Sequence, residues 1–298
     1  MRVTTDLALV LLAFTPLSCG AGDESVAVQS EPAVFTTFPP AAWMARAIAG
    51  EALDVVPVLP PGRTAETFRP TREDLVVMQS APMIVLHGAE FETWALTATL
   101  PRSRVLELAE GLEEEFITVE TVTHSHGAGP AHAHAGVNPF LWLDPELARR
   151  EFGVLHASMS VRFPALAQEF KQGFARTDAR FVELAAKLEA LAPRLRKTAL
   201  FSEHPDWAYP ARRLGVEIGD WKIGRDADAA ALDAVVAEQG GRSCVLIVGS
   251  ELDAAVVARY AEHGVAVVVW PKFVRDSDED YVDVQAAAFE RIDRVLPK

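Results

Sequence analysis

Four histidines stand in the run His124-Ser-His126-Gly-Ala-Gly-Pro-Ala-His132-Ala-His134, half of the eight in the chain. Neutral imidazole is the commonest metal-ligating side chain. Two His-x-His steps separated by Gly and Pro suit neither a regular helix nor a strand. The segment has few apolar side chains to give to a core. Soft capture of a divalent ion such as Zn²⁺ is the chemistry that its residues offer. The competing reading is a solvated linker that happens to be histidine-rich. The loop alone does not say whether a metal would be used in catalysis, stored or carried.

The other histidines and acids are less pointed. His87 closes an apolar strand and reads first as a satisfied histidine at a strand end, second as a group facing a cleft mouth. His156 and His263 fall in helical segments and read as surface or packing residues. Asp276, Asp278, Glu279 and Asp280 partly resemble a calcium loop, but no Gly sits at the turn position. An acidic helix start is the simpler reading. The chain has no His-Glu-x-x-His helix, no Gly-x-Ser-x-Gly elbow and no phosphate loop, so an enzyme is not expected.

The elements that position these groups alternate. Strands are expected at Ala33–Thr37, Leu53–Leu59 and Met83–His87, with helices at Pro40–Ala49 and Thr71–Ser80. Thr71 with Asp74 makes a capping-box pattern at the second helix. Leu166, Phe170, Phe174, Phe181, Leu184, Leu188 and Leu191 recur at helical spacing, which predicts one helix over 163–197. At 3.6 residues per turn it runs about eight turns, long for a crossover, and reads as a rod between two lobes. Strands then resume at Thr198–Ser202, Val216–Ile218, Val245–Val248 and Val265–Trp270. Helices follow at Asp226–Glu238, Asp253–Glu262 and Asp280–Val295. The pattern predicts an α/β fold of two lobes, each a parallel sheet flanked by helices, joined by one long interlobe helix. Ligands in such folds sit beyond the carboxyl ends of the strands.

The chain ahead of these elements divides into 1–19, a signal segment, and 20–33, a Gly-, Ser-, Glu- and Gln-rich tether. Leu7–Phe14 is too short to span a bilayer, and Thr15-Pro-Leu-Ser-Cys19 resembles a bacterial lipoprotein signal whose Cys is lipidated. Plain secretion is the alternative. With Cys19 lipidated, Cys244 has no internal partner. The N-terminal lobe is expected at 34–162, including the His-rich loop 124–136, and the C-terminal lobe at 198–298. A net charge of −14 argues against nucleic-acid binding.

Several strings, in order, resemble the solute-binding proteins of zinc and manganese ABC transporters. They are Pro60-Pro-Gly62 with Phe68-Arg-Pro70, Gly88-Ala-Glu-Phe-Glu-Thr-Trp94, the His-rich loop leading into Asn138-Pro-Phe-Leu-Trp-Leu-Asp-Pro145, and Phe201-Ser-Glu-His204 with Tyr209 and Arg213-Leu-Gly215. The resemblance covers roughly Val34 to the C-terminus. It implies a cell-envelope protein that captures Zn²⁺, or Mn²⁺, as transported ligand. It also implies a monomer, anchored through Cys19 or periplasmic, that passes the metal to a membrane permease. The family's site takes one ligand from each of four loops. Carried over, those positions fall on Glu66, Phe140, His204 and Trp270. Glu66 and His204 keep metal-binding chemistry, and Phe140 and Trp270 do not. The resemblance therefore implies a degenerate site assisted by His124, His126, His132 and His134, with Phe140 and Trp270 adding apolar bulk to the cleft. Trp142, Trp207 and Trp221 fall near the same loops. The alternative is the same fold without the metal, binding another solute or acting as a surface interaction or adhesion module.

Overall fold

The computed structural model of the chain describes residues 33–119, 136–275 and 279–298. In the first half, β1 (Ala33–Thr36) leads to α1 (Pro39–Ala49), β2 (Asp54–Pro57), α2 (Arg72–Ser80), β3 (Met83–Leu86) and β4 (Val105–Glu107). Pro39 and Pro40 open α1, where missing amide protons cost nothing, and Gly50 at φ 56° ends it. Thr71 and Asp74 form the expected capping box at α2. The strands are parallel, in the order β2-β1-β3-β4. β5 (Thr118–Val119) and β6 (Gly136–Val137) pair antiparallel and flank the His-rich segment, which lies outside the described residues. Cys19 also lies outside them.

Next come α3 (Pro145–Arg162) and, after a 3₁₀ turn at Pro164–Leu166, α4 (Ala167–Leu195). The long helix is thus shorter at both ends than 163–197, and Pro164 opens the separate turn that precedes it. It runs about 44 Å at 1.5 Å per residue. It buries Phe170, Gly173, Thr177, Phe181, Leu184, Leu188 and Leu191, a three-and-four spacing that makes one apolar stripe. α3 was not singled out by periodicity. Its buried side includes Ala148 and Glu151 beside Leu147, Phe152, Leu155 and Met159, so its stripe is thin in the sequence. Asp144 caps it and Pro145 opens it.

The second half holds β7 (Ala199–Ser202), α5 (Ala208–Leu214), β8 (Ile218–Asp220), α6 (Ala229–Ala237), β9 (Cys244–Val248), α7 (Ala254–Glu262), β10 (Val265–Val269) and α8 (Tyr281–Val295). The strands are parallel in the order β10-β9-β7-β8. α4 packs against α1, α3 and α8, so elements from both halves wrap the long helix. One core accordingly runs from Val34 and Ile48 through Phe181 and Leu188 to Ile247 and Phe289. At Gly173 the backbones of α4 and α1 touch: a Cβ there would lie 2.4 Å from the Ile48 carbonyl oxygen. Only glycine permits that approach. Cys244 is buried and unpaired. No helix among the described residues is long and apolar enough to cross a membrane.

Candidate cation site in the cleft

Two adjoining cavities, of about 400 and 570 Å³, open between the sheets and share Glu66, His204, Asp206 and Lys272. Glu66 stands on the loop after β2. His204 and Asp206 follow the carboxyl end of β7, and Lys272 follows the carboxyl end of β10. This is where the ends of parallel strands leave room for ligands.

The centre of the site is an ammonium group. Lys272 Nζ lies 2.7 Å from Glu66 Oε1 and 3.1 Å from Asp206 Oδ2. It also stands 4.8 Å from the centroid of the Phe140 ring, a cation–π arrangement. The three charged side chains are 17%, 33% and 10% exposed for Lys272, Glu66 and Asp206. Burial alone would depress the Lys272 ammonium, but the Asp206 and Glu66 carboxylates outweigh it and raise its pKa. Burial raises the Asp206 carboxyl, and Lys272 only partly offsets that. His204 is exposed beside this trio. Glu203 turns to a bidentate pair with Arg225, at 2.9 and 2.8 Å, which holds its pKa down.

The backbone fixes this arrangement. Phe273 adopts φ 58°, rare for a bulky residue, in the bend that carries Lys272 off β10. The Lys272 stem lies over Gly249, whose missing Cβ would meet it at 3.4 Å. Trp142 Nε1 donates to the Lys272 carbonyl at 2.8 Å. Ala65 N donates to the Val274 carbonyl at 2.9 Å, and Thr64 bridges Arg275, so the loop bearing Glu66 is stitched to the segment bearing Lys272. Asn138 Nδ2 donates to the Pro205 carbonyl, and Tyr209 Oη donates to the Asn138 carbonyl.

The site residues expected from sequence divide. Glu66 and His204 do line one cleft, and Phe140 lines it too, with its ring packed on Phe91 and Trp142. Trp270 does not add bulk to the cleft. Its indole is buried, donates to Gln285 Oε1 at 2.6 Å and packs on Phe289 of α8. The alternation of side chains along β10 turns it to the core side. Of the other tryptophans, Trp207 lines the cavity, Trp142 is buried beneath it, and Trp221 packs on Phe201 and Tyr260. His124, His126, His132 and His134 lie outside the described residues, but their flanking Val119 and Val137 line the larger cavity. Asp276 and Asp278 are likewise outside, and Asp280 caps α8 through the Asp283 amide. Sequence reasoning missed Asp206 and Lys272. A lone lysine just past the Val-Val-Val-Trp-Pro run, at a strand's carboxyl end, was the available signal. Among the described residues no three His, Cys, Asp or Glu side chains converge into a metal shell.

Beneath the floor lies a second polar cluster. His87 is fully buried and its Nε2 is 2.9 Å from Oε1 of Glu151, also fully buried. Its ring meets Phe38, Phe91 and Trp142 edge-on. Glu92 accepts from Thr37 Oγ1 at 2.5 Å and from the His87 and Gly88 amides. The strand-end packing role for His87 prevails over a cleft-facing one. His156 stacks on Phe174, and His263 pairs with Asp233 at 2.7 Å.

Two parallel sheets around a cleft, built on one long helix, define the two-lobed solute-binding class. A profile of the family described as zinc-uptake complex component A, periplasmic (ZnuA) matches residues 34–294, and the chain belongs to that family. It is a family of binding proteins for transport rather than of enzymes. The high-affinity zinc uptake system protein ZnuA of Bacillus subtilis is 25% identical over 194 residues, covering 62% of this chain and 59% of that relative. The match thus spans less than two thirds of the relative's length. Among solved structures, the metal-dependent lipoprotein YcdH from Bacillus subtilis superposes with TM-score 0.74 at 19% identity, over 89% of this chain and 99% of that one. The Zn(II)-bound ZnuA-like domain of Streptococcus pneumoniae AdcA gives 0.71 at 17%, over 90% and 100%. Identities this low speak for the fold.

Proposed function

We propose that the protein is the solute-binding component of an ABC importer at the cell envelope, with Zn²⁺ as its cargo and Mn²⁺ as the second candidate. The observation that carries this reading is the convergence of two carboxylates from opposite sides of the cleft, Glu66 and Asp206, on one positive charge, with His204 beside them. Carboxylate and imidazole are donor types that Zn²⁺ and Mn²⁺ take, and metal entry would draw these side chains together into a shell that they do not form as they stand. The family and the zinc-related names of its relatives support the same cargo. The histidines at 124, 126, 132 and 134 serve as a recruiting arm, since the chain on either side of them is rooted at the cavity wall. Residues 34–162 and 198–298 act as the two lobes, with the helical segment 163–197 between them. A metal contacting both lobes favours the closed state, and the wrapped long helix keeps the motion small. Delivery is to a membrane permease, by a monomer held at the membrane through lipidated Cys19.

A specific observation favours the second reading, a cleft that has lost its metal: Lys272 and Phe140 occupy its centre. Zinc titration calorimetry separates the two. Wild type and the variant with His124, His126, His132 and His134 all changed to Ala should each bind one Zn²⁺, and Glu66→Ala with His204→Ala should abolish it. Binding that survives the cleft changes and disappears with the loop histidines refutes the cleft as a metal site.

A further inference from the structure

Lys272 is not one of the four family ligand positions, yet its ammonium is the group around which the cleft is arranged. It touches a carboxylate from each side of the cleft, Glu66 and Asp206, and covers the face of Phe140. Its own main chain is fixed independently of that charge, by the Trp142 bond to its carbonyl and by the bend at Phe273. The loop carrying Glu66 is likewise held by backbone bonds, Ala65 to Val274 and Thr64 to Arg275. The backbones that carry Glu66 and Lys272 are therefore held without the ammonium–carboxylate contacts.

From this geometry we infer that Lys272 is a built-in competitor for cargo: a tethered cation that holds the two cleft carboxylates and must be expelled before a free cation takes them. The inference rests on the cleft reading above. A divalent ion that enters gains Glu66 and Asp206 only by breaking two charge-assisted contacts of the ammonium. The tether thus raises the threshold for every cation that takes these two carboxylates. The flexible four-carbon stem lets the head swing aside toward solvent, where an ammonium is strongly hydrated.

The test is competition for one seat. The full chain, with His124, His126, His132 and His134 changed to Ala so that only the cleft is read, is titrated with Zn²⁺ alone as wild type at 272, as Lys272→Met and as Lys272→Arg. Met keeps the stem and removes the charge, and Arg keeps the charge. Lys272→Met should tighten Zn²⁺ at least tenfold, equivalent to about 1.4 kcal/mol. Zn²⁺ should also raise its melting temperature more than it raises that of the lysine form. Lys272→Arg should stay within about threefold of the lysine form. If Lys272→Met binds Zn²⁺ no tighter while Glu66→Ala abolishes binding, the tether is refuted and the cleft remains a metal site. If neither the lysine form nor Lys272→Met binds Zn²⁺, the cleft reading itself falls, and the inference with it.

Discussion

Replacing Glu151 by Gln tests the buried cluster that supports the cleft floor. Glu151 and His87 are fully buried, 2.9 Å apart, and the His87 ring stands against Trp142, whose indole holds the Lys272 carbonyl. Removing one charge of a buried pair costs about 3–5 kcal/mol, and Gln keeps the size and a hydrogen-bonding oxygen. The pH dependence is the sharper consequence. In the wild type, burial pushes the His87 pKa down, but Glu151, through its charge and hydrogen bond, and Glu92 outweigh it, and the net shift is upward from 6.5. A raised folded pKa contributes stability in full below 6.5 and loses it as pH rises through the folded value. Without the charge and hydrogen bond of the Glu151 carboxylate, the two largest causes opposing burial are gone and the folded pKa falls from its wild-type value. His87 then contributes less stability at low pH than it does in the wild type. The destabilisation by Glu151→Gln should therefore be largest near pH 5.5 and shrink toward pH 8.5, by up to about 1.4 kcal/mol per pH unit within the titrating window. Urea unfolding of both proteins across that range reads the difference, in which titrating groups outside this cluster cancel. A destabilisation that is constant or grows with pH would refute the charged His87–Glu151 pair. Glu92, whose carboxyl burial raises, is present in both proteins and is coupled to His87, so its charge stays part of the His87 response in each.

Two further outcomes follow from packing. Gly173→Ala should destabilise by about 1–3 kcal/mol by overpacking α4 against the Ile48 and Ala47 carbonyls, although Ala favours an isolated helix by about 1 kcal/mol. Thermal unfolding decides the sign. Trp142→Phe should keep most of the floor's aromatic packing but lose the bond to the Lys272 carbonyl, at about 1–3 kcal/mol for the acceptor left without its partner. Its unfolding midpoint in urea should fall accordingly.

Much of the architecture was legible because local rules and global fold agree. Apolar strands at Met83–Leu86 and Cys244–Val248, the capping box at Thr71 and the apolar stripe of α4 each announce themselves within a few residues. α3 escaped because its buried face carries Ala148 and Glu151, and the group that pairs with Glu151 Oε1 is His87, far away in sequence. The candidate site was half legible. Glu66 and His204 could be placed by order and motif, but Trp270 was given to the cleft when its side chain belongs to the core with Gln285 and Phe289.

The sequence by itself determined the alternation of strands and helices, the long central helix and the family, because periodicity, capping and motif order are written along the chain. The tertiary structure decided what sits in the cleft. Which side chains meet there depends on where four separate loops end in space, on the bend at Phe273, and on a lysine stem long enough to bring its charge between Glu66 and Asp206. Charge attraction acts over a few ångströms of space and has no counterpart in sequence separation: Lys272 and Glu66 stand 206 positions apart and touch.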